Sequence, residues 1–157
     1  TVPAYIPEGY VPAAEQRMDL YRRIAALRTP ADEADLMDEL LDRYGDVPKP
    51  VTALLNVAML RAAAMETGIT DITQKGRQLL FSFDTRIDPA ALLAVCGMAG
   101  YRDRLQLAAG ASPKLTLFLQ PREDALDAAG GLVEQLRLQQ NELQLQGQQP
   151  QEGGNEP

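Results

Sequence analysis

Four carboxylates, Asp35, Asp38, Glu39 and Asp42, crowd into the stretch DLMDELLDRYGDVPKPV that runs from Asp35 to Val51. Four kinds of chemistry use such a set: a general acid/base pair, a divalent-metal site, a solvated helix face, or a docking surface for a cationic partner. Acid/base work needs a pocket that raises one carboxyl pKa, and a wet ridge offers none. Mg²⁺ or Ca²⁺ would want oxygen ligands, but a straight helix supplies at most about two at compatible distance, and no second acidic element is evident. A run of charge is most often a solvated face, and a docking surface is the competing reading. Composition alone leaves that choice open.

Other chemistries are excluded more firmly. The 157 residues contain no histidine, so neither a Ser-His-Asp or Cys-His site nor a His-containing zinc site can be built. The single cysteine, Cys96, lies in an apolar run without a CxxC partner. It reads as a core thiol, excludes an internal disulfide and fits a reducing cytosol. No G-x-x-x-x-G-K-[ST] loop and no G-x-G-x-x-G after a strand is present, so no nucleotide site is visible. The net charge of −7 argues against a grip on nucleic acid through its phosphates and favours a basic protein surface as partner. Residues 29–44 hold six acids and one arginine, a net −5, so the compact acidic block sits there. No apolar run approaches the roughly 18 residues of a membrane span. Nothing reads as a signal peptide, and the expected location is cytoplasmic. A chain that starts at Thr1 rather than Met is expected to be part of a longer protein.

The elements that must position the acids follow from periodicity. The opening VPAYIPEGYVP carries three prolines and two tyrosines and predicts an extended segment that packs by its aromatic and Ile side chains. A first helix follows Pro12, with Met18, Leu20, Tyr21, Ile24, Ala25 and Leu27 at helical spacing and Arg17, Arg22, Arg23 and Arg28 on the wet side. RTPADEAD then carries helix-start chemistry: Thr29 as N-cap, Pro30 at the first helical position, Asp32 and Glu33 at the positive end of the dipole. On this second helix Leu36, Met37, Leu40, Leu41 and Tyr44 span about 140° and form the predicted core face. The four carboxylates occupy a separate arc of about 100°, and Gly45 is placed to stop the helix.

A third helix is predicted from about Pro50 to Thr67, with a wide apolar face and small residues Ala62, Ala63 and Ala64 for close helix packing. The period then changes to two. ITDITQK and RQLLFSF read as a hairpin turning at Gly76. DPAALLAVCGMAG is a short helix, RDRLQLAAG and PKLTLFLQ are two more strands, and PREDALDAAGGLVEQLRLQQNELQ is a last helix weakened at Gly130-Gly131. The order αααββαββα is α+β. One domain is expected over 1–143, with a disordered Gln/Gly/Pro-rich tail over 144–157.

Two stretches, YIPEGYVPAAEQRMDLYRRIA and DELLDRYGDVPKPVTALLNVAMLRAAAMETGI, resemble the C-terminal (TRCF) domain of the bacterial transcription-repair coupling factor, Mfd. The family pattern has an Ile-Pro, an aromatic, a second Pro and R-[LM]-x-x-Y-[KR]-[RK]-[IL]-A. It continues with an acidic helix ending in E-L-x-D-R-[FY]-G, a Pro-x-Pro and a long helix. The match runs over residues 3–72 and, in order of elements, to about 140. The resemblance implies a parent that is an ATP-dependent double-stranded DNA translocase, which displaces stalled RNA polymerase and recruits UvrA. It implies that this last domain is non-catalytic, docks on the UvrB-like module of the same polypeptide, masks its UvrA-binding surface and restrains the motor. Glu39 and Asp42 of the E-L-x-D-R-[FY]-G motif would be the contact acids, facing arginines of the partner module. Asp35, Asp38 and Arg43 would lie around them. ATP and Mg²⁺ would belong to the parent's motor and no cofactor to this domain. The domain would touch neither nucleic acid nor membrane. The rival reading is a self-contained divalent-metal-dependent enzyme built on the acidic ridge.

Overall fold

The computed structural model describes residues 3–148. Three helices come first: α1 (Ala14–Ala25), α2 (Pro30–Tyr44) and α3 (Lys49–Glu66). A hairpin follows, β1 (Ile69–Lys75) and β2 (Gln78–Phe83), then α4 (Pro89–Cys96), β3 (Leu105–Ala108), β4 (Lys114–Phe118) and α5 (Ala125–Gln148). The order is the predicted αααββαββα, and the class is α+β. All neighbours in the sheet run antiparallel, in the order β1-β2-β4-β3. Leu79, Phe81, Phe83, Leu115 and Leu117 are buried with α4 and α5, while Gln78, Leu80, Ser82, Lys114, Thr116 and Phe118 alternate onto the other face. A one-sided antiparallel sheet tolerates water on that second face.

The buried side chains form two clusters. One holds Ile6, Val11, Leu20, Ile24, Leu27, Leu36, Leu40, Val51 and Leu55, from the opening segment and the first three helices. The other joins the sheet to α4, α5 and the end of α3, with Ala64, Ile69, Phe81, Leu92, Leu115, Leu132 and Leu136 among its members. Helix α3 enters both. Val51 and Leu55 are buried in the first and Ala64 in the second. That double duty explains why its apolar residues spread around the helix rather than along one stripe. Small residues, Ala64 on α3 and Ala128 and Ala129 on α5, lie together in the second cluster, where α3 and α5 pack.

The turn out of α3 requires glycine. Gly68 has φ +83, and a Cβ there would lie 2.9 Å from Asp84 Oδ1 and 3.0 Å from Ile87 N. Its carbonyl accepts the Asp84 N–H at 2.9 Å, which ties the entry of β1 to the exit of β2. Gly76 turns the hairpin with φ +61.

Three expectations change. Met18 and Ala25 do not join the core of α1; Met18 is 54% exposed, because Leu20, Ile24 and Leu27 already fill the contact with α2 and α3. Leu41 leaves the predicted core face of α2 and is 46% exposed, since the buried line of that helix is centred on Leu36 and Leu40. Helix α5 is the single helix expected across Gly130 and Gly131, where Ala128, Ala129, Leu132 and Val133 are buried on either side and packing offsets the low propensity of glycine. It continues to Gln148, past the boundary expected at 143, because Gln144, Leu145 and Gln146 are good helix formers and outweigh Gly147. The remainder of the expected tail, 149–157, lies outside the described residues.

Two substitutions test this architecture. Leu40→Asp places a carboxylate where the side chain is 1% exposed and is expected to abolish the cooperative thermal transition followed by circular dichroism. Gly68→Ala, which must adopt a left-handed φ against Asp84 and Ile87, is expected to cost more than about 1 kcal/mol in chemical denaturation.

Candidate functional site

Helix α2 is held at both ends, so its acids project from a fixed base. At the N-terminus Thr29 Oγ1 accepts the Asp32 N–H at 3.1 Å, and Asp32 Oδ2 accepts the Thr29 N–H at 3.2 Å. This reciprocal capping box uses up Asp32. At the C-terminus the Tyr10 hydroxyl donates to the Gly45 carbonyl at 3.0 Å, and the Gly45 N–H donates to Leu41 at 3.1 Å. The Tyr10 ring lies 5.6 Å from that of Tyr44, whose hydroxyl donates to Gln16 Oε1 at 3.1 Å. Tyr10 of the opening segment therefore serves as the clamp on the end of the acidic helix, whereas Tyr5 is 45% exposed.

The four carboxylates are brought together on one side of α2, but not as equivalents. Asp35, Asp38 and Asp42 are exposed and form no ion pair among the described residues. Glu39 sits at the flank nearest α1 and is only partly exposed, with 36% of its side chain open to solvent. Arg23 of α1 presses its guanidinium against Glu39 Oε2, and Arg43 lies 3.8 Å from Oε1 one turn further along α2. Glu39 Oε2 is shielded from solvent and has no well-directed hydrogen bond of its own, so the Arg23 charge is what stabilises it there. Contact with Arg23 holds the Glu39 carboxyl below the usual carboxylate range, against a smaller opposing effect of desolvation, and Arg43 adds to the lowering. The Arg43 guanidinium also sits 5.1 Å from the centre of the Tyr44 ring.

The expectation that Glu39 and Asp42 lie alike on an open ridge is thus corrected for Glu39. The reason is geometric: position 39 is rotated by about 60° from Asp42 toward α1. There an arginine placed on the wet side of α1 by its own periodicity reaches across. Neither Arg23 nor Leu41 stood out as a site residue in the sequence. The pairing of Arg23 with Glu39 spans the α1–α2 turn and no spacing rule encodes it, whereas Leu41 was hidden by its apolar type. Leu41 lies on the other flank, beside Asp38, and adds an exposed apolar side chain to the face.

A shallow groove of about 460 Å³ runs between α1 and α2, lined by Arg23, Leu27, Asp32, Asp35, Leu36 and Glu39. The larger concavity, about 1230 Å³, lies elsewhere, between α3, β1 and the start of α5, and none of the α2 acids lines it. Among the described residues no three Asp, Glu or Cys side chains cluster closely enough to hold a metal ion. Among them, too, no helix is long and apolar enough to cross a membrane.

A family model described as the TRCF domain matches residues 1–92, which takes in the whole first core, the hairpin and the start of α4. The chain belongs to the TRCF domain family. The transcription-repair-coupling factor of Escherichia coli K12 is 31% identical over 96 residues, covering 60% of this chain and 8% of that protein. That of Mycobacterium bovis is 42% identical over 72 residues, 46% of this chain and 6% of that protein. The chain thus spans only 6–8% of the length of these relatives. A solved structure of the C-terminal domain of a transcription-repair coupling factor superposes with a TM-score of 0.68 at 18% identity. It covers 90% of this chain and 91% of that one, and at that identity the likeness is one of fold. The acidic helix therefore falls inside the part of the TRCF domain that the family model matches, whereas β3, β4 and α5 lie beyond residue 92.

The lowered Glu39 pKa makes a prediction with a definite sign. The Arg23 pair contributes its full stability above the unfolded carboxyl value, about 4.3, and loses it as pH falls through the lower folded value. Titration of the Glu39 carboxyl by NMR is expected to give a midpoint below about 4.3. In Arg23→Gln that midpoint should rise, and part of the acid-induced loss of stability below about pH 4 should disappear. Added salt should shrink both effects, because the pair is partly open to water.

Proposed function

We propose that this TRCF domain is a non-catalytic regulatory module that docks through the acidic face of α2 on an arginine-bearing surface of the UvrB-like module in its own polypeptide. Docking masks the UvrA-binding surface of that module and restrains an ATP-dependent DNA translocase that displaces stalled RNA polymerase. The observation that carries the reading is the state of Asp35, Asp38 and Asp42: three exposed carboxylates on one rigid, doubly clamped helix, with no cation paired to them among the described residues. Unspent charge of one sign on a fixed element suits electrostatic complementarity with a cationic partner. The exposed Leu41 beside it supplies apolar area that such a face uses.

Energetics favour a reversible dock. Exposed ion pairs contribute about 0.2–1 kcal/mol each, so three of them hold weakly as a bimolecular contact. Within one polypeptide the effective concentration of the partner reaches roughly millimolar, and weak contacts then suffice. A latch biases the equilibrium only by the difference between its affinities for the resting and the active state.

The test uses Asp38→Lys with Asp42→Lys, since both side chains are exposed and the domain should keep its fold. Glu39→Lys is the poorer reversal, because it would crowd a third cation against Arg23 and Arg43. Binding of the domain to the parent's UvrB-like module is expected to be salt-sensitive and to weaken about tenfold or more in the double variant. In the full-length parent the same change should raise ATP hydrolysis and UvrA binding. Affinity untouched by the reversal would remove α2 from the interface.

A further inference from the structure

Glu39 differs from the other acids of the face in being already neutralised from inside the domain. Its Oε2 is buried against the Arg23 guanidinium and closed to a newcomer, while its Oε1 lies 3.8 Å from Arg43 on the more open side of the carboxylate. A guanidinium from outside that takes a carboxylate in the bidentate manner needs both oxygens. It therefore cannot engage Glu39 while Arg23 remains in place. Arg23 itself is 41% exposed and sits at the rim of the α1–α2 groove, where its side chain has open space beside it. Asp19 lies one turn earlier on α1 and Asp35 lines the same groove, so a displaced Arg23 meets other carboxylates rather than an uncharged surface.

We propose that Arg23 is a built-in competitor for Glu39, so that docking exchanges one arginine for another at this carboxylate. This inference rests on the docking function and deepens it: Glu39 is the switching contact of the face, and Asp35, Asp38 and Asp42 are its permanently available ones. The exchange has a physical consequence. Truncating or withdrawing one partner of a shielded charge pair leaves the other charge stranded, which is what makes such interfaces slow to open. Here Arg23 returns to Glu39 as the partner leaves, so no charge is stranded in the open state. The internal pair lowers the affinity of the closed state and stabilises the open one, as a releasable contact requires.

The experiment measures binding of the 157-residue chain to the parent's UvrB-like module at low salt, for wild type, Arg23→Gln, Glu39→Gln and the double variant, with thermal melting of each as the fold control. Removing the competitor is expected to tighten binding about 1.5- to 5-fold, the range set by an exposed ion pair. In the Glu39→Gln background the Arg23 change should have no effect, a coupling that a general loss of positive charge would not produce, while the tightening itself is opposite in sign to the loss of a structural clamp. Arg23→Lys keeps the charge but loses the planar fork and should fall between wild type and Arg23→Gln, which decides the question if the glutamine variant melts early. A folded Arg23→Gln or Arg23→Lys chain with unchanged or weaker binding would overturn the inference and leave the pair as a clamp between α1 and α2. Absence of wild-type binding would instead overturn the docking function, and the competitor with it.

Discussion

Helix α3 buries Val51 and Leu55 among the N-terminal helices and Ala64 against the sheet, so the two cores share one rigid rod. That sharing is the constraint on which the rest of the molecule depends. A helix packed from one side only needs one apolar stripe; α3 is packed from different sides along its length and carries apolar residues around most of its circumference. The turn at Gly68 then sends the chain directly from α3 into β1, with no room for a side chain between Asp84 and Ile87. The helical half and the sheet half are thereby joined by a continuous helix and a tight turn rather than by a linker.

Within the helical half, α2 buries Leu36 and Leu40 in the core and packs Met37 and Tyr44 at its edge, which leaves the carboxylate side of the helix outside. An outlying helix of this kind would fray if its ends were untended. The capping box at Thr29 and Asp32 and the Tyr10 hydroxyl on the Gly45 carbonyl satisfy polar groups that a helix terminus leaves orphaned. The carboxylates are thereby presented with fixed spacing.

The charge of α2 is divided between two uses. Glu39 serves within the domain, as the point where α1 and α2 are held by opposite charges, while Asp35, Asp38 and Asp42 remain for the outside. Partial exposure keeps the internal pair weak and salt-dependent, so it adds little to the stability of the fold. The hydrophobic core beneath carries the stability, and the charged surface contributes little to it.

Most of the architecture was legible in the sequence, because element type follows from local periodicity: 3.6 for α1 to α3, two for the hairpin, and a capping signal at Thr29 that the structure places at a helix start. The acidic ridge was legible for the same reason, since residues at i, i+3 and i+7 share a side of any helix. Tertiary structure decided what periodicity cannot express. It chose which flank of α2 faces α1, and so pulled Glu39 into a pair with Arg23 and turned Leu41 outward. It also decided that α3 serves two cores, and that packing of Leu132 and Val133 carries α5 through Gly130-Gly131. The sequence alone determined the elements, their order and their polar faces, because those depend on neighbours along the chain. Only the packed chain determined which charges are spent and which remain, because that depends on neighbours across space.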